Sequence, residues 1–510
     1  MHRSWGVKRR LAALITVIVA AGTAVAGCGG GAGDGSDNRL VVAQSSDVLS
    51  LDPSVDISPI SLNVFMNIYD QLTRISRDGK VEPLLATKWE SSEDLATWTF
   101  TIRRDATFSN GKPVAVEDVV WSYEKVMEDV KSPARPYLTP VKTVEKVAAD
   151  QVRFTLKGPF SSFDRQASLI SILPQQAYQE AGAEKFAENP IGSGPYRFVS
   201  WKKDSQLVLH ARKNYFAGAP KIRTVVFKPV PSANTREAGL LSGELDVVPL
   251  LPPPSVPEIR KSGEVKIKTV TSNRVLYLGF NTRQAPLNDV RLRRAIDYAI
   301  DRKAITKDLL SGLGKPAGQL VAPVTFGYDS AVKPTPYEPE RAKRLVRASS
   351  YDGEPVVFQF PNNRYSLGVE VAQAVGGYLK EAGIEVTMEG MEYSAFFPLW
   401  AERKLEGMHM FAFGPTTLDA ELVLSALYAS GSQGYLASKQ TDALISAERA
   451  AADPAVRKRE IARIWRLSKR QAAYLPLYNE LQAYGIAKNV KWQPRPDERL
   501  LFVDAELKKN

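Results

Sequence analysis

The 510-residue chain is poor in the side chains that build covalent or metal chemistry. It has one cysteine, Cys28, and three histidines. A single thiol excludes a disulfide within the chain, so the fold must hold through its core alone. Beyond residue 27 the histidines are His210 and His409, each in a strand-like stretch and neither near an obvious nucleophile. A protein-only zinc centre and a Ser-His-Asp triad therefore both lack their parts, and no metal is expected. Phosphate loops are missing as well. Gly79-Lys80, Gly111-Lys112 and Gly314-Lys315 are followed by Val or Pro, never by Ser or Thr. "GLGKPAG" (312–318) lacks dinucleotide spacing, and "PIGSGPY" (190–196) lacks the strained serine elbow of hydrolases. Nothing nominates a catalytic residue or a cofactor, although paired carboxylates leave acid/base chemistry open. The longest uncharged apolar run, Leu11 to Ala26, is 16 residues, short of the roughly 20 that span a bilayer.

That run has another use. Arg3, Lys8, Arg9 and Arg10 precede it without an acidic residue, and small residues close it, which fits a secretory signal peptide over residues 1–27. Val25-Ala26-Gly27-Cys28 resembles the bacterial lipobox, so Cys28 is expected to carry lipid. Residues 28–38 are rich in glycine and polar residues and read as a flexible tether. Removing the signal leaves 483 residues, enough for two or three domains. Net charge falls from +11 to about +7. The cations read as spread along the chain, without an arginine-rich run, so nucleic acid is not an expected partner. Attraction to an anionic membrane surface is the milder implication.

Periodicity supplies the elements. "RLVVAQ" (39–44), "WTFTIR" (98–103), "VRFTL" (152–156) and "VLYLGFNT" (275–282) read as strands. Apolar residues at 62, 65, 68, 69, 72 and 75 predict a helix through Ile75. Asn288 or Asp289 caps a helix whose outer face, with Arg293, Arg294, Asp297 and Asp301, reads as solvated, including an Arg293–Asp297 pair. From 356 to 425 strands and helices alternate, which argues for a parallel or mixed sheet covered by helices.

Several segments together resemble the family-5 solute-binding proteins of bacterial ABC importers. They are "ATFSNGKPVAVEDVVWSYEKV" (106–126), "NPIGSGPYRFVSW" (189–201), "GELDVV" (243–248), "YLGFNT" (277–282), "DVRLRRAIDYAIDRKAI" (289–305), "LKEAGIEVTME" (379–389) and "YLPLYN" (474–479), in the family's order. The resemblance covers about 39–510. It implies an α/β, two-lobed, periplasmic-binding-protein-like fold of type II, with mixed sheets and an extra domain inserted in the first lobe. Lobe one would be 39–58, 190–281 and 478–510, the inserted domain 59–189, and lobe two 282–477, with hinges near 282 and 477.

The implied function is capture of a short peptide or peptide-like solute and delivery to an ABC permease, by a lipid-anchored, extracytoplasmic monomer without catalysis. Binding of a nickel chelate, an opine or glutathione is the alternative within the family. A lipid-anchored hydrolase and a sensory binder are the alternatives outside it. "MFAFGPTTLDAELVLSALY" (410–428) matches the region that grips peptides in relatives, with Gly414 at the family glycine. An aromatic residue commonly follows that glycine; here Pro415 does, and it has no N–H to donate. The pocket expected from this match comprises Phe413, Gly414, Thr416 and Asp419, walled by Tyr393, Phe397 and Trp400. Arg364 and Tyr365 would take a ligand carboxylate. Core packing remains open for each aromatic residue, and helix capping for Asp419.

Overall fold

The apolar run Val275–Phe280 becomes the second half of a 16-residue strand at the centre of an eleven-stranded sheet. The computed structural model describes residues 38–432 and 434–508; Cys28 and its expected lipidation lie outside them. The strands of the large sheet are β1 (Arg39–Gln44), β2 (Tyr196–Lys202), β3 (Gln206–Ala211), β4 (Thr224–Pro229), β5 (Val247–Val248), β6 (Val265–Phe280), β7 (Gly314–Pro316), β8 (Val356–Pro361), β9 (Val386–Met391), β10 (Met408–Phe413) and β11 (Tyr474–Ala487). Their spatial order is β9-β8-β10-β6-β11-β5-β1-β4-β3-β2, with β7 also on β11. β1 runs parallel to β4 and β5, and β8 runs parallel to β9 and β10. The central pairs β6–β10, β6–β11 and β5–β11 are antiparallel, so the expected α/β class with a mixed sheet is what the chain adopts.

The C-terminal part of β6, Val275–Phe280, carries no polar side chain except the Tyr277 hydroxyl because both its faces are covered. Leu276, Leu278 and Phe280 join one cluster, with Met408 and Met410 of β10. Tyr277 joins another on the opposite face, with Phe411, Tyr428, Trp465 and Tyr474. A separate cluster is drawn from residues 72–172. It surrounds a four-stranded antiparallel sheet whose strands are 86–91, 97–102, 151–156 and 141–148 in spatial order.

The helices that bear on the site are α1 (Pro59–Ile68), α2 (Ala233–Leu241), α3 (Val290–Ala299), α4 (Tyr393–Ala401), α5 (Ala420–Leu427), α6 (Lys439–Arg449) and α7 (Pro454–Gln471). Two sequence expectations change here. The helix predicted through Ile75 stops at Ile68, and Tyr69 is extended. Its terminal carbonyl is taken by the Gly194 amide at 2.8 Å. A Cβ on Gly192 or Gly194 would approach the Ile68 carbonyl group to 2.1 or 2.6 Å, so "IGSG" docks there only because it carries no side chains at those positions. Thr73–Ile75 instead forms a short strand against Val81–Pro83.

The second change concerns α3. Asp289 caps it, as expected, accepting from the Arg291 amide. Its supposedly solvated pair is buried: Arg293 donates to the carbonyls of Leu287, Gln471 and Ala472, and Asp297 accepts from Arg302 and Thr335. The open carbonyls at the end of α7 need donors, and Arg293 supplies them.

On β10, His409 is enclosed opposite Gly279, with Tyr277 edge-on at 6.3 Å. Neither ring nitrogen has a hydrogen-bond partner among the described residues, and burial pushes the imidazole down to about 3 from 6.5. The folded protein therefore refuses a proton that the unfolded chain accepts below about pH 6.5. Stability is full above that value and falls as pH drops toward 3, by at most about 1.4 kcal/mol per unit from this group. Melting temperature measured from pH 7 to pH 4 should fall less steeply in His409→Leu than in the parent; equal slopes would contradict this assignment.

Candidate functional site

Three polar residues, Ser272, Asn273 and Arg274, interrupt β6 just before its apolar half, and the β6–β11 register shifts between Thr271 and Val275. An irregularity of this kind re-aims side chains. All three residues are buried, and each reaches a different part of the chain. Ser272 Oγ donates to Glu498 Oε1 at 2.7 Å, and Asn273 Nδ2 donates to the Pro415 carbonyl at 2.8 Å. Arg274 donates to Glu498 Oε2 at 2.5 Å and lies 3.6 Å from Glu480. Burial opposes the Arg274 charge, but Glu498 and then Glu480 outweigh it and raise its pKa above the ordinary arginine value. Burial also raises the Glu480 carboxyl, against the pull of Arg274.

A cleft of about 180 Å³ opens above this cluster. Arg274 and Glu498 form part of its wall, with Gln482 and Tyr484 of β11 beside them. Arg236 of α2 lines it as well, as do Arg364 and Tyr393. Arg236 donates to the carbonyls of Val230 and Pro231, each at 2.8 Å. Arg364 lies over the rings of Tyr365 and Tyr393, 5.8 and 5.4 Å from their centroids. Neither arginine pairs with a carboxylate among the described residues. The cleft thus presents two arginines without a salt-bridged carboxylate among the described residues, the Arg364 charge acting at longer range on buried Glu480, and one carboxylate, Glu498, already shared with Arg274.

The loop from Gly414 to Asp419 stands next to the same bulge. A Cβ on Gly414 would meet Asn273 Oδ1 at 2.8 Å, which restricts that position to glycine. On its other side lies a larger cavity, about 750 Å³, lined by Phe413, Gly414, Thr416, Glu421 and Arg449, and by Tyr137 and Phe160 from the 72–172 unit. Arg449 donates to Glu421 at 2.5 and 3.0 Å and to Ser425 at 2.5 Å. Thr416 Oγ1 is shielded from solvent without a hydrogen-bond partner among the described residues.

The residues expected to form one pocket are therefore divided. Arg364 and Tyr393 line the small cleft, whereas Phe413, Gly414 and Thr416 line the large cavity. Tyr365 is buried, its hydroxyl accepting from the Ala412 amide at 2.8 Å. Trp400 is buried in a stack on Phe411, with centroids 4.5 Å apart. Phe397 bridges Tyr393 and Trp400 with its ring 41% exposed.

Asp419 reaches neither space. It caps α5 through the Glu421 amide, and Arg457 grips both its oxygens at 2.6 and 2.7 Å. Arg165 stands 3.3 Å away and donates to the Thr417 carbonyl. Burial alone would raise the Asp419 carboxyl, but Arg457 and then Arg165 hold it below its ordinary range. Arg236, Arg274, Gln482, Tyr484 and Glu498 were not anticipated. The polar triplet directly ahead of "VLYLGF" was the available signal for Arg274, since a fully buried strand has no other reason to begin with Ser-Asn-Arg.

Asp419→Ala should destabilise the fold by about 3–5 kcal/mol, because it leaves Arg457 buried without its main partner. Urea unfolding measures this. Unchanged stability together with lost solute affinity would instead make Asp419 a ligand contact.

Comparison with known proteins bears on this geometry. The family model described as "Bacterial extracellular solute-binding proteins, family 5 Middle" matches residues 80–435. The chain is similar to the probable D,D-dipeptide-binding periplasmic protein DdpA of Escherichia coli K12, at 27% identity over 475 residues, 89% of this chain and 91% of that one. It is similar to the glutathione-binding protein GsiB of Salmonella choleraesuis, at 26% identity over 485 residues, 92% and 94% of the two chains. Its fold is similar to the ABC transporter-associated periplasmic binding protein DppA of Helicobacter pylori, solved with the peptide STSA. That likeness has a TM-score of 0.81 at 24% identity over 92% of this chain and 98% of the other.

Proposed function

Since the chain belongs to the family 5 bacterial extracellular solute-binding proteins, we propose that it captures a short peptide or peptide-like solute carrying a free carboxylate and releases it to an ABC permease. The observation that carries this reading is the pair Arg236 and Arg364, which line the same small cleft from α2 and from the segment after β8, neither in a salt bridge with a carboxylate among the described residues. A carboxylate bridging them gains charge-assisted hydrogen bonds from both at once. The Glu498 carboxylate stands in the same wall for a ligand ammonium. Relatives named for a D,D-dipeptide and for glutathione support the ligand class. The large cavity, within the usual size range of small-molecule sites, gives room for side chains beyond the charged end.

In this reading lobe one is about 39–71, 173–271 and 481–510, and lobe two is about 275–479. The inserted domain is trimmed from 59–189 to about 72–172, because the buried side chains of α1 pack with β1 and β4. We place the hinge at the β6 irregularity, 271–275, and the facing 479–481 of β11, rather than at 282 and 477. Closure then brings Arg364 toward Arg236 around the solute, and the closed state is selected by ligand bound to both sides. Specificity requires no chemical step. Lipid on Cys28 would hold the protein at the membrane, and Cys28→Ser should move it from the membrane fraction to the soluble one.

Native mass spectrometry of the unit beginning at Asn38, purified from rich medium, identifies the solute. A series of adducts differing by amino-acid masses is expected. Titration of the identified solute into Arg364→Ala should show affinity about ten- to a hundredfold weaker, the loss of one charge-assisted hydrogen bond. Affinity equal to the parent's would sink the assignment of the carboxylate site.

A further inference from the structure

Charge on this chain is not spread as the sequence suggested. Helix α7 holds seven cations, Arg457, Lys458, Arg459, Arg463, Arg466, Lys469 and Arg470, against one acid, Glu460. Its net charge of +6 is nearly the whole surplus of about +7 carried by the chain after residue 27. Arg457 points inward to Asp419 and Glu448. The other six are exposed.

Local structure accounts for only part of them: Lys469 donates to the Lys333 carbonyl at 2.5 Å, and Lys458 lies 5.1 Å from the centroid of the Phe326 ring. Lys469 and Arg470 suit the last turn of a helix, where cations oppose the dipole. Lys458, Arg459 and Arg463 lie two or more turns from that end, beyond the dipole's reach. Arg463 has the i,i+3 partner Glu460 at 2.8 Å, and Arg466 has only Asp329 at 3.6 Å. Exposed pairs of this kind contribute little to stability. Asp442, the acid on the adjoining face of α6, is occupied by the Ser430 amide and hydroxyl. Arg294 adds a further cation at the end of α7, donating to the Arg470 carbonyl.

Three of the six, Arg463, Arg466 and Arg470, wall one side of a groove of about 350 Å³ between α6 and α7, with Gln440 and Ala443 on the other. No large exposed apolar side chain lies on either helix among the described residues. A protein partner would need an apolar or aromatic anchor at the centre of such a face. A surface of closely set guanidinium groups without one matches phosphate headgroups instead.

We propose that the outer flank of α7 docks on the anionic phospholipid headgroups of the membrane at which the protein works, with the groove seating individual phosphates. The contact is electrostatic, reversible and sensitive to salt. It would hold lobe two near the bilayer, while Cys28 tethers the other end of the chain. This inference rests on the extracytoplasmic membrane address and is independent of which solute is bound.

The test is flotation of the unit beginning at Asn38, a compact body by itself, with vesicles containing about 30% phosphatidylglycerol in phosphatidylcholine, and with phosphatidylcholine alone. The parent should float with the anionic vesicles only and should dissociate toward 1 M salt, where charges more than about 3 Å apart are screened. The variant Arg463→Ser, Arg466→Ser, Arg470→Ser should bind about a hundredfold more weakly, since affinity falls about tenfold for every one or two cations removed. Its melting temperature and solute adducts should match the parent's. A control that removes Lys142, Lys146 and Arg153 from the 72–172 unit should float like the parent. Failure of the parent to float, equal flotation of the α7 variant, or equal loss in the control would each overturn the proposal.

Discussion

The arrangement of the molecule turns on one buried arginine. Arg274 sits where β6 breaks register, with Glu498 at 2.5 Å and Glu480 at 3.6 Å. A guanidinium buried without these carboxylates would cost several kcal/mol, so the segment that carries Glu498 must fold back onto β6 for the strand to exist in this form. That requirement draws 495–500 into the centre, where Glu498 adopts a left-handed backbone with φ of 64°. The same bulge orients Asn273 toward the Gly414 loop. One irregularity thus fixes the wall of the small cleft and the position of the loop that borders the large cavity.

A second charged network complements the first. Asp419, Glu421 and Glu448 face Arg449 and Arg457 within α5, α6 and α7, and Arg165 from the 72–172 unit completes the balance. Glu448 is the least satisfied member: burial raises its carboxyl above the ordinary range against the pull of Arg457, and one of its oxygens has no partner among the described residues. Networks of this type contribute more to geometric specificity than to net stability. Here the geometry concerned is the docking of the 72–172 unit against the Gly414 loop, through Arg165 on the Thr417 carbonyl and Ser161 on the carbonyls of Glu448 and Arg449.

Much of the fold was legible because its signals are local. "VLYLGF" is apolar at every position and proves to be covered on both faces; Asp289 stands ahead of a helical period and caps it. What failed depends on distant parts of the chain. The period from 62 to 75 cannot announce that Gly194 will take the Ile68 carbonyl. Nor can Arg293 reveal that its guanidinium will face the end of α7, 178 residues away. At the level of segments, Arg364 and the "MFAFGPTT" loop, both singled out in the sequence, border cavities. The division of the site into two spaces was not legible, because the partition is made by Asn273 and Arg274, which come from another strand. Asp419 carried two compatible sequence roles, and only the approach of Arg457 on α7 decided for the buried one.

The docking of Gly192 and Gly194 on the end of α1 has a consequence for how the chain folds. The residues that stop this helix lie more than 120 positions after it, beyond the whole 72–172 unit. During synthesis α1 emerges with a helical pattern that continues through Ile75 and with nothing yet to end it. The contact that ends the helix can form only when "IGSG" arrives, so this corner is completed by a contact across a long chain separation, the kind that forms slowly. The intervening unit stands between the Ile68 carbonyl and Gly194, whose amide caps it while Gly192 packs alongside.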